Sequence, residues 1–275
     1  MRIAIITDIH ASKSVETDFD PRVLVRNFVD RAAKSNADLL IDLGDRIDDV
    51  DRDTDLAATA ELASLFEQFP GPRLHLRGNH DVVNLDVGDH LRLFGQAAGH
   101  SVIEFADFRV IAWQPSVLLD RKDGFPTTAG ELPWLIDALE QDKRPAIIVT
   151  HIPVSGAAMT GNYYFENNAD LATYPDHAEV RGAVEMTGGA AMWLSGHVHW
   201  NSIANVGNVY HVTVQSASER FTTQPNAAAA TAQLDIDGDS ARLEVFGLDP
   251  IAVTLPFRKS GEHRWPEPRP RVVRK

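Results

Sequence analysis

The 275-residue chain contains no Cys. A disulfide framework and a thiolate metal site are therefore both excluded. Long apolar runs are also missing, since no stretch approaches the ~18 consecutive apolar residues of a membrane-spanning helix. The opening MRIAIITDIH has one Arg and a very short apolar run, unlike a secretory signal peptide. We therefore expect a cytoplasmic protein that does not enter a membrane.

Positive charge is scarce as well, because 26 Lys and Arg stand against 39 Asp and Glu, for a net charge of −13. Residues 258–275 run against this trend, with seven Lys or Arg and two Asp or Glu, so the other 257 residues carry −18. An acidic body argues against a general nucleic-acid binder. We expect a catalytic domain over residues 1–257, followed by a basic Pro/Arg-rich tail over 258–275.

Apolar runs alternate with segments of helical periodicity, which is typical of α/β domains. The predicted strands cover residues 2–7, 37–43, 72–77, 101–106, 108–113, 145–150 and 190–195. The predicted helices cover residues 21–35, 54–69 and 128–142. Antiparallel hairpins are predicted over 201–217 and 231–248, the second turning at Asp237 and Gly238. Together these elements predict two sheets in one layered α/β domain.

Polar side chains follow five of the predicted strands. They are Asp8 and His10, Asp45 and Asp48, Asn79 with His80 and Asp81, His151, and finally His197 and His199. Residues two apart in an extended chain point to the same side, so His197 and His199 can converge on one object. The carboxyl ends of strands are the edge where sites assemble in open α/β sheets. The pattern therefore predicts one shared site at this edge.

The chemistry of these side chains points to metal ions. Carboxylate, amide and imidazole groups are hard or borderline ligands that suit Mn²⁺, Fe or Zn²⁺. Seven such ligands exceed the need of a single catalytic ion and fit two ions that share a carboxylate. Two ions roughly 3.5–4 Å apart clamp the oxygens of a phosphoryl displacement and make hydroxide available near neutral pH. We predict a dinuclear centre, with Mn²⁺ as the preferred metal.

The motif order D-x-H, G-D-x-x-D, G-N-H-D, H and G-H-x-H, from Asp8 to His199, resembles that of the calcineurin-like metallophosphoesterases. The resemblance implies an α/β fold with two mixed sheets in a four-layer α/β/β/α sandwich. It implies a first metal held by Asp8, His10 and His199. It implies a second metal held by Asn79, His151 and His197, with Asp45 bridging the two. It also implies that His80 faces the scissile ester as a general acid or phosphate stabiliser, oriented by Asp48.

Three functions stay open at this point. The leading hypothesis is a hydrolase that cleaves a phosphomonoester or phosphodiester of a small molecule, with metal-activated hydroxide as the nucleophile. The second is a non-catalytic scaffold of the same fold, which the complete ligand set weighs against. The third is a nuclease, which the acidic body weighs against because no basic groove is evident. The sequence predicts neither the exact substrate nor the oligomeric state.

The long segment 155–176 follows His151 and lacks clear periodicity. Long irregular loops in compact domains are usually functional. We therefore predict that Asn162, Tyr163 and Tyr164 contact the substrate. Four other carboxylates near Asp45 are interpreted instead as parts of a solvated acidic loop: Asp49, Asp51, Asp53 and Asp55.

Overall fold

The structure is a computed structural model that describes residues 1–11 and 19–257. The predicted tail over 258–275 lies outside the described residues. The strands are β1 (Arg2–Ile6), β2 (Leu39–Asp42), β3 (Arg73–His75), β4 (Ser101–Glu104), β5 (Arg109–Ala112), β6 (Ala146–Val149), β7 (Ala190–Ser195), β8 (Ser202–Val206), β9 (Val209–Thr213), β10 (Thr231–Asp237), β11 (Ser240–Phe246) and β12 (Ile251–Pro256). The α-helices are α1 (Pro21–Lys34), α2 (Arg52–Phe66), α3 (Val87–Phe94), α4 (Leu132–Glu140) and α5 (His177–Thr187).

The strands form two six-stranded sheets. The first has the order β12-β11-β10-β1-β2-β3, with β1, β2 and β3 parallel and the other three antiparallel. The second has the order β4-β5-β6-β7-β9-β8, with β5, β6, β7 and β9 parallel and an antiparallel strand at each edge. Both sheets are mixed, as predicted.

Alternating side chains along the strands build the layers. In β1, Ile3 and Ile5 enter a core between the sheets, where β6 contributes Ile147 and Val149. The alternate residues Ala4 and Ile6 point the other way, into a second core with α1 and α2. Buried side chains of α4 and α5 cover the outer face of the second sheet. This is the period-2 alternation of strands buried on both faces. The predicted α/β fold with two mixed sheets is confirmed, and these cores are consistent with the predicted four-layer α/β/β/α sandwich.

Helix α1 shows how local sequence supports this packing. The Asp20 side chain accepts a hydrogen bond from Arg22 N, and Pro21 occupies the first turn, where its missing N–H costs nothing. Val25, Phe28, Val29 and Ala32 then lie at helical spacing on the buried face. Each large apolar side chain buried in this way contributes about 1.5–3 kcal/mol to stability.

The structure also contains elements that were not predicted. Helix α3 has eight residues, too few for a clear period, although Asp86 and Asp89 form a capping box at its start. Helix α5 and strand β12 were missed as well. Within the predicted hairpin 201–217, β8 and β9 are antiparallel as expected, but β9 also runs parallel to β7. Its carboxyl end therefore lies beside those of β6 and β7.

Among the described residues, none of the helices is both long enough and apolar enough to cross a bilayer.

Candidate metal centre

The candidate site lies where the carboxyl ends of parallel strands from both sheets meet. Loops cross between the sheets at this edge. His197 N donates to the Asp8 carboxylate at 3.0 Å, and His151 Nδ1 lies 2.9 Å from Leu43 O. Hydrogen bonds between loops of different sheets fix the relative positions of polar groups that are far apart in the sequence. The structure thereby brings all seven predicted ligands to one edge.

The first cluster consists of Asp8, His10 and His199, whose ligand atoms all lie within 4.8 Å of one another. The Nε2 atoms of His10 and His199 are 3.2 Å apart, and His199 Nε2 is 3.4 Å from Asp8 Oδ1. Burial alone would raise the pKa of Asp8, but its hydrogen bond and charge interaction with His199 lower that pKa to about 2. The cluster therefore keeps an ionised carboxylate between two imidazoles.

Carboxylates orient both imidazoles of the first cluster. Asp48 Oδ1 lies 3.0 Å from His10 Nδ1, and Glu219 Oε2 lies 3.2 Å from His199 Nδ1. An imidazole that donates its Nδ1–H to a carboxylate presents Nε2 as a lone-pair donor. Burial opposes protonation of His199, but Asp8 and Glu219 outweigh it and raise the pKa of this imidazole to about 10. Sequence reasoning missed Glu219, because β9 was not expected to end at this edge.

The second cluster consists of Asp45, His151 and His197, again with ligand atoms within 4.8 Å of one another. The Asn79 amide joins it, since Asn79 Oδ1 is 3.3 Å from His151 Nε2. His151 Nε2 also lies 3.1 Å from Asp45 Oδ2. All four side chains are buried, so water competes little for their ligand atoms.

Backbone carbonyls orient the imidazoles of the second cluster. His151 Nδ1 lies 2.9 Å from Leu43 O, which leaves Nε2 for the cluster. His197 Nε2 lies 2.8 Å from Leu171 O, which leaves Nδ1. Burial disfavours the charged form of His151, yet Asp45 raises its pKa to about 9. Burial and the charge of His151 lower the pKa of His197 to about 3, so His197 is a neutral ligand.

The Asp45 carboxylate belongs to the second cluster and also interacts electrostatically with His10 of the first. Burial would raise the pKa of Asp45. The charge and hydrogen bond of His151, together with the charges of His80 and His10, hold this pKa well below its usual range. Oδ1 accepts the His80 N–H at 2.8 Å, whereas the buried Oδ2 has His151 Nε2 3.1 Å away and makes no hydrogen bond of good geometry with any described residue. A buried carboxylate oxygen is costly unless positive charge lies beside it, from a protonated His151 or from a metal ion. The donor set therefore fits two hard or borderline metal ions.

The backbone at the site is held in an unusual conformation. Five of the seven predicted ligands have left-handed φ angles: Asp8 (51°), His10 (48°), Asp45 (54°), His197 (70°) and His199 (61°). Such non-Gly conformations cost free energy and concentrate at functional sites. Glycines allow the close approach that this geometry needs. A Cβ on Gly78 would lie 2.1 Å from Asp45 Oδ1, and one on Gly196 would lie 2.0 Å from Thr7 Oγ1.

A buried ion network supports the Asp45 loop from behind. Asp81 accepts the backbone N–H groups of Asp45, Arg46 and Gly78 at 2.9 Å, 3.0 Å and 2.9 Å. The Arg46 guanidinium lies 3.2 Å from Asp81 and 2.6 Å from Asp42. Asp81 belongs to the GNHD motif but had been given no role. Its three hydrogen bonds identify it as a positioning residue for the loops that carry Asp45 and Asn79.

His80 stands beside both clusters without joining either. Its ring makes an edge contact with that of His10, with centroids 5.1 Å apart, and 32% of its side chain is exposed. The prediction that Asp48 orients His80 is wrong, because His80 Nδ1 lies 3.1 Å from Asp49 Oδ1, while Asp48 contacts His10. Asp49, with φ 51°, turns the chain so that these neighbouring carboxylates reach different histidines.

Another carboxylate of the acidic loop also differs from its interpretation. Asp55 is buried and accepts hydrogen bonds from Val50 N and Asn84 Nδ2 at 3.2 Å and 2.8 Å. Asp51 caps α2 by accepting from Thr54 N. These groups order the loop locally, and their spacing in the sequence alone did not distinguish them from solvated side chains.

The predicted substrate contacts divide into two kinds. The prediction for Asn162 is wrong, because its side chain is fully buried, with Nδ2 donating to Val198 O and Oδ1 accepting from Tyr164 N and Phe165 N. Tyr163 and Tyr164 are exposed. Asn162 therefore holds the loop onto the histidine-bearing segment, while the two tyrosines face solvent.

Comparison with known proteins gives a consistent result. Residues 1–201 match the calcineurin-like phosphoesterase family. No curated protein sequence matches the chain. A dimetal phosphatase from Danio rerio has a similar structure, with a TM-score of 0.73, 15% identity, and coverage of 94% of this chain and 99% of that one.

Two further solved structures show the same fold. For a purple acid phosphatase from yellow lupin seeds, the TM-score is 0.65 at 13% identity, covering 94% of this chain and 54% of that one. For GAP50, the anchor in the inner membrane complex of Plasmodium, the TM-score is 0.62 at 12% identity, covering 95% of this chain and 90% of that one. At such identities the similarity shows the fold alone. Because the family match spans 201 of 275 residues, the chain belongs to the calcineurin-like phosphoesterase family.

Proposed function

We propose that the protein is a dinuclear metal-dependent hydrolase that cleaves phosphoester bonds in small substrates. The observation that carries the proposal is the convergence of two groups of candidate ligands, each with ligand atoms within 4.8 Å of one another, with the buried Asp45 in the second group interacting also with His10 of the first. Asp8, His10 and His199 would hold one ion. Asn79, His151 and His197 would hold the other, and Asp45 would bridge them. Mn²⁺ is the proposed metal, with Fe or Zn²⁺ as alternatives.

Two divalent ions supply Lewis-acid stabilisation of phosphoryl oxygens and lower the pKa of bound water. The chain determines how much positive charge is left at the centre. Of the seven ligands, only Asp8 and Asp45 are anionic; the imidazoles, which bind metal only in the deprotonated form, and the Asn79 amide would be neutral ligands. The loaded centre would therefore retain net positive charge and attract a phosphoester anion.

His80 is the proposed proton donor. Its Nδ1 is held by Asp49, so Nε2 is the nitrogen available to the substrate. Its side chain is the most exposed of the site histidines, at 32%, against 9% for His10 and 19% for His199. A leaving oxygen positioned near the centre would accept a proton from this imidazole. The hydrogen bond from His80 N to Asp45 fixes the donor relative to the ligands.

A scaffold role is the second candidate, since one similar structure is that of an anchor protein. Both ligand clusters are complete here, and His80 lies beside them, which favours catalysis. A nuclease is disfavoured because the 257 residues before the tail carry −18. The proposed location is the cytoplasm, consistent with the absence of Cys.

The test is a panel of phosphoesters assayed with the Mn²⁺-loaded protein: aryl phosphate monoesters and diesters, cyclic nucleotides and glycerophosphodiesters. We expect hydrolysis of at least one class, abolished by chelation and restored by Mn²⁺. The His80→Ala variant is the control for contaminating phosphatases, because it should retain metal and lose activity. A protein that binds two ions but hydrolyses none of these esters would contradict the proposal and favour the scaffold.

A further inference from the structure

A row of aromatic rings leads from the first cluster to the surface. The Phe221 ring stacks on that of His199, with centroids 5.9 Å apart and planes 28° apart. The Tyr163 ring meets Phe221 edge-on, with centroids 4.2 Å apart and planes 83° apart. Tyr163 is 65% exposed, although its ring is large and mostly apolar. An exposed aromatic ring that is joined to a candidate metal ligand through a second ring indicates a binding surface.

The loop that carries Tyr163 is fastened to the histidine-bearing segment. Asn162 Nδ2 donates to Val198 O at 2.9 Å, and Val198 lies between His197 and His199 in the sequence. Trp200 Nε1 donates to Ala158 O at 2.9 Å. Val198 also enters a small apolar core with Phe165 and Ala158. These contacts fix the position of Tyr163 relative to the ligands, so its exposed ring is presented in a defined place.

The surroundings of the two rings narrow what can bind there. The pKa of Tyr163 is raised by burial of part of the side chain and by the nearby Glu219 carboxylate. A carboxylate at this position repels an additional anionic group. The ring faces instead offer apolar area and a π surface. A planar, uncharged aromatic group would bind favourably to the apolar area and the π surface, whereas an anionic group would be repelled by Glu219.

We propose that Tyr163 and Phe221 bind a planar aromatic group of the substrate, so that the phosphoester cleaved at this centre carries an aryl or nucleobase moiety. This proposal rests on the proposed function, because it places the phosphate of that substrate on the two metal ions. Met186 is also strongly exposed, at 83%, but it belongs to α5 and not to the loops that carry Tyr163 and Phe221.

The experiment compares two phosphonates that cannot be hydrolysed, benzylphosphonate and cyclohexylmethylphosphonate, by calorimetry with the Mn²⁺-loaded protein. Both carry the same anion on a six-membered ring, but only the first ring is planar and aromatic. Cyclohexyl is at least as apolar, so the hydrophobic effect alone would not favour benzyl. We expect benzylphosphonate to bind roughly tenfold more tightly because aromatic stacking adds to the phosphonate interaction.

Single substitutions test which side chains cause the preference for benzylphosphonate over cyclohexylmethylphosphonate. Tyr163→Ala and Phe221→Ala should each reduce it to about twofold or less, whereas Tyr163→Phe should keep it, because the ring and not the hydroxyl makes the contact. Met186→Ala is the matched control for loss of an exposed apolar side chain and should leave the preference unchanged. Metal content is measured for every variant, so that a displaced His199 is not mistaken for a lost stacking contact.

A second pair of ligands identifies the aromatic group. Tighter binding of the non-hydrolysable phosphonate analogue of adenosine 5′-monophosphate than of the phosphonate analogue of ribose 5-phosphate, sensitive to Tyr163→Ala, would assign a nucleobase. A preference seen only in the benzyl pair would assign an aryl group. Equal affinities within both pairs, or a preference that survives both alanine variants, would overturn the aromatic site. If the preference is present but no phosphoester is hydrolysed, the proposed function fails and the aromatic site stands.

Discussion

The two ligand clusters differ in what holds their imidazoles. In the first cluster, Asp48 and Glu219 accept from the far nitrogens of His10 and His199. In the second, the carbonyls of Leu43 and Leu171 accept from His151 and His197. A carboxylate partner makes an imidazole a stronger ligand than a carbonyl does. The first cluster is thus tuned by side chains, and the second by the path of the backbone.

The first-cluster ion should therefore bind more tightly. Its own carboxylate, Asp8, is reinforced by two carboxylates behind the imidazoles. The second cluster contains one carboxylate, Asp45, which is proposed to be shared with the first, and adds the neutral amide of Asn79. Neutral oxygen ligands bind divalent ions less strongly than carboxylates. We expect the two ions to differ in affinity, with the second-cluster ion lost first on dialysis.

The largest expected effect is the loss of metal from both clusters in Asp45→Ala. This substitution removes the proposed bridging carboxylate, so two cations would face each other with less compensation. We expect both ions to bind weakly, leaving fewer than about one ion per chain after desalting. Elemental analysis and hydrolysis assays measure this. Full occupancy of either site with normal activity would show that Asp45 does not bridge.

Removing one imidazole from each cluster should separate the ions. His197→Ala is expected to empty mainly the second site, and high Mn²⁺ should partly restore activity by mass action. His199→Ala removes a ligand from the tighter site and should be rescued less. Mn²⁺ titration of both variants, with bound metal and hydrolysis measured together, tests the difference. Identical metal loss and identical rescue would mean that both histidines serve one ion, or none.

His80 provides a reference that belongs to neither cluster. His80→Ala should lower kcat on the order of 10²–10⁴-fold, the usual effect of losing a positioned acid. Its metal content should match that of the unaltered protein, because the side chain lies outside both ligand sets. Loss of both ions in this variant would instead identify His80 as a ligand.

The smallest expected effect is a weaker first-site affinity for Mn²⁺ when the carboxylate behind His199 is neutralised. Glu219→Gln keeps the size of the side chain but removes the charge behind His199, and should weaken Mn²⁺ binding at the first site about 10–100-fold. Glu179→Gln, at an exposed position on α5, is the matched control for loss of one negative charge. An equal change in the two variants would reduce the effect to general electrostatics and contradict the role of Glu219.

The sequence predicted which candidate ligands come together better than it predicted what orients them. Asp8, His10, Asn79 and His151 each follow a strand within a few residues, so the strand ends alone bring them together. The partners behind the imidazoles depend on loop turns and sheet order. Glu219 reaches His199 only because β9 runs parallel to β7, which an antiparallel hairpin pattern does not reveal.

The same limit applies to residues next to one another in the chain. Asp48 and Asp49 are equivalent by type and position, and the left-handed backbone at Asp49 decides which histidine each one meets. Asn162, Tyr163 and Tyr164 share one irregular loop, yet one anchors it and the others are exposed. Periodicity carries no information about such assignments, since they arise from long-range packing.

Two metal ions are proposed to occupy these clusters and to share Asp45. Electron paramagnetic resonance of the protein titrated with Mn²⁺ tests this proposal most directly, because two bridged Mn²⁺ ions give a spin-coupled signal and isolated ions do not. We expect an uncoupled signal from the first-cluster ion at low loading and a coupled signal as the second ion binds. Only uncoupled signals up to saturation, or fewer than one bound ion per chain, would contradict it.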